Sequence, residues 1–523
     1  MYPLDFFFCF LYEPKNTVLS MTGREPASGG EYSGCIGFIY VFNLIVGFGA
    51  LTLPYLVNES GYILGSLFLA VLGTVSFITL TFIVETMSIG NAVLELKLKQ
   101  GYIKVSLEDS DSNGRETSIE MSQINKRSKT RNLKEISSHG NIGNHKTDPF
   151  ELKTKLELAD LAKIFLGARG SKVLVLVTAA YLYGDLAIYA TSTPTALVSV
   201  YSPSSFAFIG DIEDPHSFAY NAWLCLFAII VVPLSCLNIQ KTKQLQLMTC
   251  TYRNLAIAAM IGLAIAHYRD REVYQLQNHT NSTYQEGEEE FPNNPADFHK
   301  LPHLFGAATY SFMCHHSIPS IIFPVEAKAR KNIFYILFCA YIAVLLSYLL
   351  LCLSAKFAFG PGQINQLYIL NFSDEGSFWS LFLEMLPVFI TVTNYPLIAI
   401  TTRNNLIGYF NKAKNVLCSG ACIEEDNVPR IWHSLVVALP PIAVAFAVRD
   451  LGVIVEITGS YAGLALEFLF PTWLLYSARK ILTQNELTME NSPYRSPFNG
   501  TVMVLVICWS LTSLFFIVMT QVS

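Results

Sequence analysis

The sequence predicts an all-α polytopic membrane protein, built as five helices plus an inverted second five with an eleventh helix at the end. Three observations carry this. The composition suits a chain whose solvent is lipid: 52% of its 523 residues are apolar, 14% are charged and the mean hydropathy is +0.39. Apolar runs of about 20 residues, long enough to cross a hydrocarbon core, recur from end to end. The first and sixth of these runs are interrupted at matching places, by VGFGALTLP at 46–54 and HHSIPSIIFP at 315–324. The net charge of -5 is small, and no dense basic face with interleaved aromatics appears, so the lipid bilayer and not nucleic acid is the expected surroundings.

Taken in order, residues 1–33 read as a cytosolic leader. MYPLDFFFCFLYEP carries Asp5 and lacks a basic start, so it is not a signal peptide; residues 1–20 read as an extension ahead of a more ordinary opening at Met21. The eleven predicted spans are 34–57, 61–87, 171–199, 218–236, 246–267, 302–325, 333–355, 376–402, 430–448, 450–476 and 500–521. They group as 34–87, 171–267, 302–476 and 500–523, separated by loops at 88–170, 268–301 and 477–499. The 88–170 segment is rich in Ser, Asn, Lys and Glu and reads as a long, largely disordered loop. Its end, LELADLAKIFL at 156–166, has the period of a short amphipathic helix.

Orientation follows from the short loops. Lys241 and Lys243, Lys328 to Lys331, Arg403 with Lys412 and Lys414, and Arg479 with Lys480 all fall on one side. The positive-inside rule makes that side cytosolic, with the N-terminus cytosolic and the C-terminus extracytosolic. Glycosylation sequons at Asn278, Asn281 and Asn371 fall on the opposite side, as acceptors should. Cys418 and Cys422 are spaced CxxxC with no further ligands nearby, so no metal is expected.

The two interruptions matter most. A continuous helix offers no free backbone groups to a ligand, and a broken one is tolerated in hydrocarbon only where it lines a protein cavity. Five spans separate the breaks, an odd number that inverts the second copy, and paired breaks in inverted repeats are where midplane substrate sites are built. The restarting half-helix presents N–H groups and a partial positive end to a carboxylate, while the opposed carbonyls can hold an ammonium group or a cation.

FNLIVGFGALTLPY at 42–55 resembles the first-helix motif of the amino acid/auxin permeases, N-x-x-V-G-x-G-x-L-x-x-P-Y. YSFMCHHSIPSIIFPVE at 310–326 is similar to that family's sixth helix, NYPLIAITTRNNL at 394–406 to its eighth and DLGVIVEITGSYAGLALEFLFPTWLLY at 450–476 to its tenth. The likeness covers nearly all spans and omits the leader and the 88–170 loop. It implies the LeuT-like fold of the amino acid–polyamine–organocation superfamily and transport of amino acids.

The candidate substrate residues are the backbone of Val46, Gly47, Phe48 and Gly49, where glycine permits close approach and unusual dihedrals, together with Ser311, Phe312, Cys314 and His315. Candidate coupling residues are Asn43, Asp185, Thr393 and Asn394. In sodium-coupled members of the resembling family the Asn matching Asn43 helps bind sodium, but Asn394 stands where the eighth helix usually carries a hydroxyl. Asp185 lies mid-span in YLYGDLAIY, and intramembrane acids mark ion or proton paths. No cofactor is implied beyond Na+ or H+ as a coupling ion. Glu456 and Glu467 fall in the tenth span, whereas Glu85, Arg253 and Arg449 sit near span ends, where snorkelling accounts for them. HExxH, GxSxG and facing catalytic aspartates are missing from the sequence, which argues against a membrane enzyme. Two readings stand: a secondary transporter of a small amino acid, in the plasma membrane or an endolysosomal membrane, and a transport-inactive sensor of the same fold signalling through its cytosolic loop.

Overall fold

A computed structural model describes residues 32–99, 148–201, 214–236, 243–279, 296–360, 362–373, 378–417, 430–490 and 492–522. Among them every predicted span is helical, and the β-structure is one isolated bridge, Tyr32 to Val325. Seven helices are long and apolar enough to cross a membrane: Tyr62–Lys97, Gly167–Val200, Pro215–Cys236, Ile333–Ala358, Phe378–Arg403, Leu451–Gln484 and Gly500–Thr520. The remaining four spans depart from that pattern for separate reasons. The fifth, Lys243–His279, carries several charges, and the ninth, Arg430–Ala447, is short and holds Pro440 and Pro441. The first and sixth are broken.

The two breaks are built alike. The first span runs as a helix over Gly34–Ile45, opens at Val46 and Gly47, makes a 3-10 turn at Phe48–Leu51 and restarts over Leu53–Glu59. The sixth runs over Leu301–Phe312, opens at Met313 and restarts over Ile318–Ile322. Each restart has proline in its first turn, Pro54 and Pro319, where the missing N–H costs nothing and the fixed φ favours the helix.

These two spans run antiparallel. At one end Tyr32 N–H donates to Pro324 O (3.0 Å), Glu326 N–H donates to Tyr32 O (2.9 Å), and the Tyr32 hydroxyl donates to Ile321 O. At the other end Asp297 N–H donates to Ser60 O (2.9 Å), and Lys300 faces Glu59 at 3.9 Å. The start of each span is thus fastened to the end of the other, as an inverted repeat requires. The third and eighth spans pack against each other most extensively, the seventh lies on the first, and the tenth lies on the sixth. The five-plus-five array with an eleventh helix is the observed element order.

The tenth span contains a third irregularity. Between Leu451–Ile457 and Phe470–Gln484 it widens into two π-helical segments, Thr458–Gly463 and Ala465–Leu469. Close backbone approach holds it on the sixth span: a Cβ on Gly306 would lie 2.5 Å from Glu456 O, and one on Gly459 would lie 1.8 Å from Gly306 O.

Two expectations need adjustment at span ends. The second span continues as helix to Lys99, and residues 148–157 pack against it, with Phe150, Leu152 and Leu156 buried. Ser88 donates to Phe150 O (2.6 Å), Asn91 and Thr154 exchange hydrogen bonds, and Arg330 donates to Leu152 O (2.6 Å). The middle of that segment, 100–147, lies outside the described residues. Nor does Glu85 snorkel. It is 2% exposed and takes Arg479 Nε at 2.8 Å, Arg479 Nη2 at 2.7 Å and Ser496 N–H at 2.9 Å, clamping the 485–499 loop to the second and tenth spans. Two charge-assisted bonds from one guanidinium make this pair geometrically specific.

Candidate functional site

The breaks of the first and sixth spans meet. A Cβ on Gly49 would lie 2.3 Å from Ser311 Oγ, 2.9 Å from Tyr310 Cδ1 and 3.0 Å from Ser311 Cα, so glycine is what lets the two backbones touch. Gly47 differs. Its φ of -106° and ψ of -155° are extended backbone, and a Cβ there would meet only Ile45 O at 3.7 Å. Close contact between the two spans therefore falls at Gly49 and not at Gly47.

Two of the carbonyls that the breaks release share one partner. The Tyr348 hydroxyl, fully buried on the seventh span, lies 3.0 Å from both Ile45 O and Ser311 O, and its single proton serves the last turns of both half-helices. The same hydroxyl faces the Gly47 backbone N–H. Its ring meets Phe312 edge to face at 5.4 Å, and Phe312 stacks on Tyr341 at 6.1 Å. Val46, Phe48, Gly49, Ser311, Phe312, Cys314 and His315 are all buried. Ser311 turns its hydroxyl back to Ala307 O (2.7 Å), while Phe48 meets Tyr189 of the third span at 6.2 Å.

Beyond the sixth-span break, Cys314 Sγ lies 3.3 Å from Tyr341 OH, and His315 Nε2 pairs with Thr79 of the second span at 3.0 Å. The His315 ring is therefore held by the second span and not by the first-span break. His316 lies 5.6 Å from the Tyr181 ring of the third span. Before the break, Tyr310 donates to Asp185 Oδ1 at 2.5 Å, tying the third span to the sixth.

The coupling candidates each have a protein partner, and Asp185, Arg253 and Asn394 all act on Tyr189 of the third span. The Asn43 carbonyl accepts from Arg253 Nη2 at 2.5 Å, and its amide oxygen accepts from Asn254 at 3.1 Å. Both oxygens that could ligate a cation thus face donors on the fifth span, and one of those donors is itself cationic. Arg253 reaches inward here, contrary to the snorkelling expected from its place in the sequence. Thr393 returns its hydroxyl to Phe389 O (2.8 Å) and Ile390 O (2.9 Å), and Asn394 faces the Tyr189 hydroxyl. Among the described residues no group of three His, Cys, Asp or Glu could hold a metal.

Two cavities, of about 290 Å³ beside Ala264, Tyr268 and Phe357 and of about 270 Å³ beside Thr195, His216 and Arg449, lie away from the breaks. The breaks are buried and in contact at Gly49 and Ser311, so a ligand at that contact requires the first and sixth spans to part. Of the sequons, Asn371 is in a short 3-10 turn, donating to Gln363 O (2.6 Å) and accepting from Asn365 N–H (2.8 Å). Asn278 is in the last turn of the fifth span, and Asn281 lies outside the described residues.

Sequence reasoning missed Tyr348, Tyr341 and the inward reach of Arg253. The available signal was polar groups at the centre of apolar or helical runs, in IAVLLSYLLLCL and TYRNLAIAAM, which in hydrocarbon must find partners.

Residues 121–516 match the family described as transmembrane amino acid transporter protein. The transmembrane protein 104 homolog of Dictyostelium discoideum is 36% identical, with 92% of this chain and 95% of that one covered. Transmembrane protein 104 of Homo sapiens is 31% identical, with 95% and 98% covered, and the Drosophila melanogaster homolog 29%, with 94% and 97% covered. Among solved structures, MhsT in complex with L-phenylalanine aligns over 96% of this chain and 99% of that one, at a TM-score of 0.46 and 11% identity.

Proposed function

The chain belongs to the transmembrane amino acid transporter family, and from that premise we propose that it carries amino acids across its membrane by alternating access. The observation that carries the reading is the contact of the two breaks at Gly49 and Ser311, with the carbonyls of both on Tyr348. In this reading the backbone of Val46 to Gly49 receives the substrate carboxylate at the restart of the first span, and Ser311, Phe312 and Cys314 form the opposite wall. The packed arrangement is then the closed member of a cycle in which the half-helices move apart. The positive-inside pattern supports placing the Tyr32 end in the cytosol, in either the plasma membrane or an endolysosomal membrane.

Coupling is to a proton in preference to sodium. The support is Arg253: a guanidinium on the Asn43 carbonyl supplies the positive charge that a sodium ion would bring, and repels a second one. A sensor of the same fold is the second reading, and one observation favours it. Glu157, at the end of the long loop, accepts from Ser320 in the restarted half of the sixth span at 2.7 Å, so the loop touches a moving part.

The test is a thermal-shift screen of the purified protein with each common amino acid at acidic and neutral pH. A ligand at a hundred times its Kd adds about 2.7 kcal/mol to the native state, a readily measured rise. No shift with any amino acid would remove this reading. Binding without flux into liposomes would select the sensor.

A further inference from the structure

Glu467 is fully buried in the second π-helical segment of the tenth span; among the described residues neither carboxylate oxygen has a partner within full hydrogen-bond geometry, and the Ser76 hydroxyl of the second span is the donor directed toward it. The contrast with two other buried acids is direct. Asp185 accepts from Tyr310, and Glu85 accepts from Arg479 and Ser496. An ionised carboxylate buried without a donor is among the costliest groups a protein can hold, by several kcal/mol.

Among the described residues no cation is paired with Glu467. Ser76 of the second span is directed toward Glu467, and Tyr181 of the third, Cys314 at the sixth-span break and Tyr341 of the seventh lie within its electrostatic reach. Ser76 Oγ lies 3.0 Å from Tyr341 OH, and either hydroxyl can be the donor of that bond. The histidines of the same break are turned elsewhere, His315 to Thr79 and His316 to Tyr181. The eleventh span, which packs on the same π-helical segment, contains no Asp, Glu, Lys, Arg or His. Among the described residues no group of three His, Cys, Asp or Glu surrounds it to hold a metal ion, and a proton satisfies the group alone.

A line of polar groups leads from this carboxyl to the backbone break. Ser76 Oγ lies 3.0 Å from Tyr341 OH, which lies 3.3 Å from Cys314 Sγ, and the Tyr341 ring stacks on Phe312. A change at Glu467 therefore reaches the sixth-span break through two intervening side chains. The π-helical segment on which it stands is a kind of irregularity frequent at functional sites.

We propose that Glu467 is the proton-carrying acid of the transport cycle. It holds a proton while the breaks are packed, and as the second, seventh and tenth spans part around it the O–H bond breaks and the proton passes to water. It rebinds a proton from the opposite side, so that one proton crosses per cycle and no other bond changes. The proposal rests on the transport reading above and gives that reading its coupling group.

The test uses the full chain in liposomes with a trapped pH-sensitive dye, comparing wild type, Glu467→Gln, Glu467→Asp and Asp185→Asn. Difference infrared spectra recorded as pH is raised are expected to show a protonated-carboxyl band that loses its Glu467 component in E467Q and keeps it in D185N. With any amino acid that the wild type moves, E467Q is expected to lose proton influx and gradient-driven accumulation completely while retaining exchange of labelled for unlabelled amino acid. E467D, which keeps a carboxyl, is expected to retain proton influx and guards against a folding defect in E467Q. An unchanged band in E467Q, proton influx that survives in E467Q, or influx lost in D185N with E467Q unaffected would each overturn the assignment. If the wild type moves no amino acid, the transport reading and the coupling role fall together, while the infrared band still shows whether Glu467 holds a proton.

Discussion

Gly49→Ala and Gly47→Ala differ by one methyl group placed two residues apart, and the structure assigns them opposite consequences. At Gly49 the new Cβ would stand 2.3 Å from Ser311 Oγ, 2.9 Å from Tyr310 Cδ1 and 3.0 Å from Ser311 Cα. The Ser311 hydroxyl cannot retreat freely, because it donates to Ala307 O at 2.7 Å, and the Ser311 backbone can yield only if the sixth span moves with it. Forcing a methyl into such a site costs about 1–3 kcal/mol, equivalent to about 5–150-fold against the packed state. At Gly47 the nearest atom is Ile45 O at 3.7 Å, and the backbone is extended, so alanine costs nothing sterically and restricts the unfolded chain, a gain of about 0.4–1 kcal/mol. Thermal melts of the purified variants should therefore show G49A lowered and G47A unchanged or raised. Ser311→Ala removes the shortest approach, so it should return part of the loss in G49A, with a coupling of about 0.5 kcal/mol or more in a double-mutant cycle. Uptake separates the two sites further: G47A is expected to fold normally yet bind substrate more weakly, because its methyl stands over the backbone proposed to receive the carboxylate. Equal destabilisation by both substitutions, or no effect from either, would refute the claim that the two breaks meet at Gly49.

Other outcomes follow from the same geometry. Tyr348→Phe leaves the Ile45 and Ser311 carbonyls buried without their donor and should cost about 1–3 kcal/mol in denaturation, with little change in packing of the ring. Replacing sodium by choline should leave wild-type uptake unchanged, because Arg253 already serves the Asn43 carbonyl; uptake that collapses without sodium would contradict this. Arg479→Met strands Glu85, which is 3% exposed in the pair, and should cost about 3 kcal/mol, measured as a shift in melting midpoint and restored in part by adding Glu85→Gln.

The spans were legible in the sequence because lipid imposes one strong rule, a run of apolar residues of fixed length, and both breaks were legible because Gly and Pro violate that rule at equivalent places. What escaped has physical reasons. Helix continues past the apolar run to Lys99 because ELKLK is compatible with helix outside hydrocarbon, where apolar content no longer marks it. Phe150, Leu152 and Leu156 dock at irregular spacing and make no period. The π-helical widening of the tenth span leaves no mark in EITGSYAGLALEFL that separates it from ordinary helix. At the breaks, Gly49 is pressed against Ser311 and Gly47 is not, because which glycine is pressed depends on the facing stretch of backbone and not on the residue itself. Tyr348 and Arg253 lie far from the breaks in the sequence, and their roles exist only in the folded chain. Glu467 was visible as an intramembrane acid, yet its lack of a partner is a property of its neighbours.

The central claim is that two broken helices meeting at Gly49 and Ser311 form the passage for an amino acid. Its most direct test is uptake of labelled amino acids into liposomes holding the full chain, beside G49A and empty liposomes. Saturable uptake of at least one amino acid is expected of the wild type, competed by the unlabelled compound and lost in G49A. Wild-type uptake no greater than that of empty liposomes across the common amino acids, or full uptake in G49A, would contradict it.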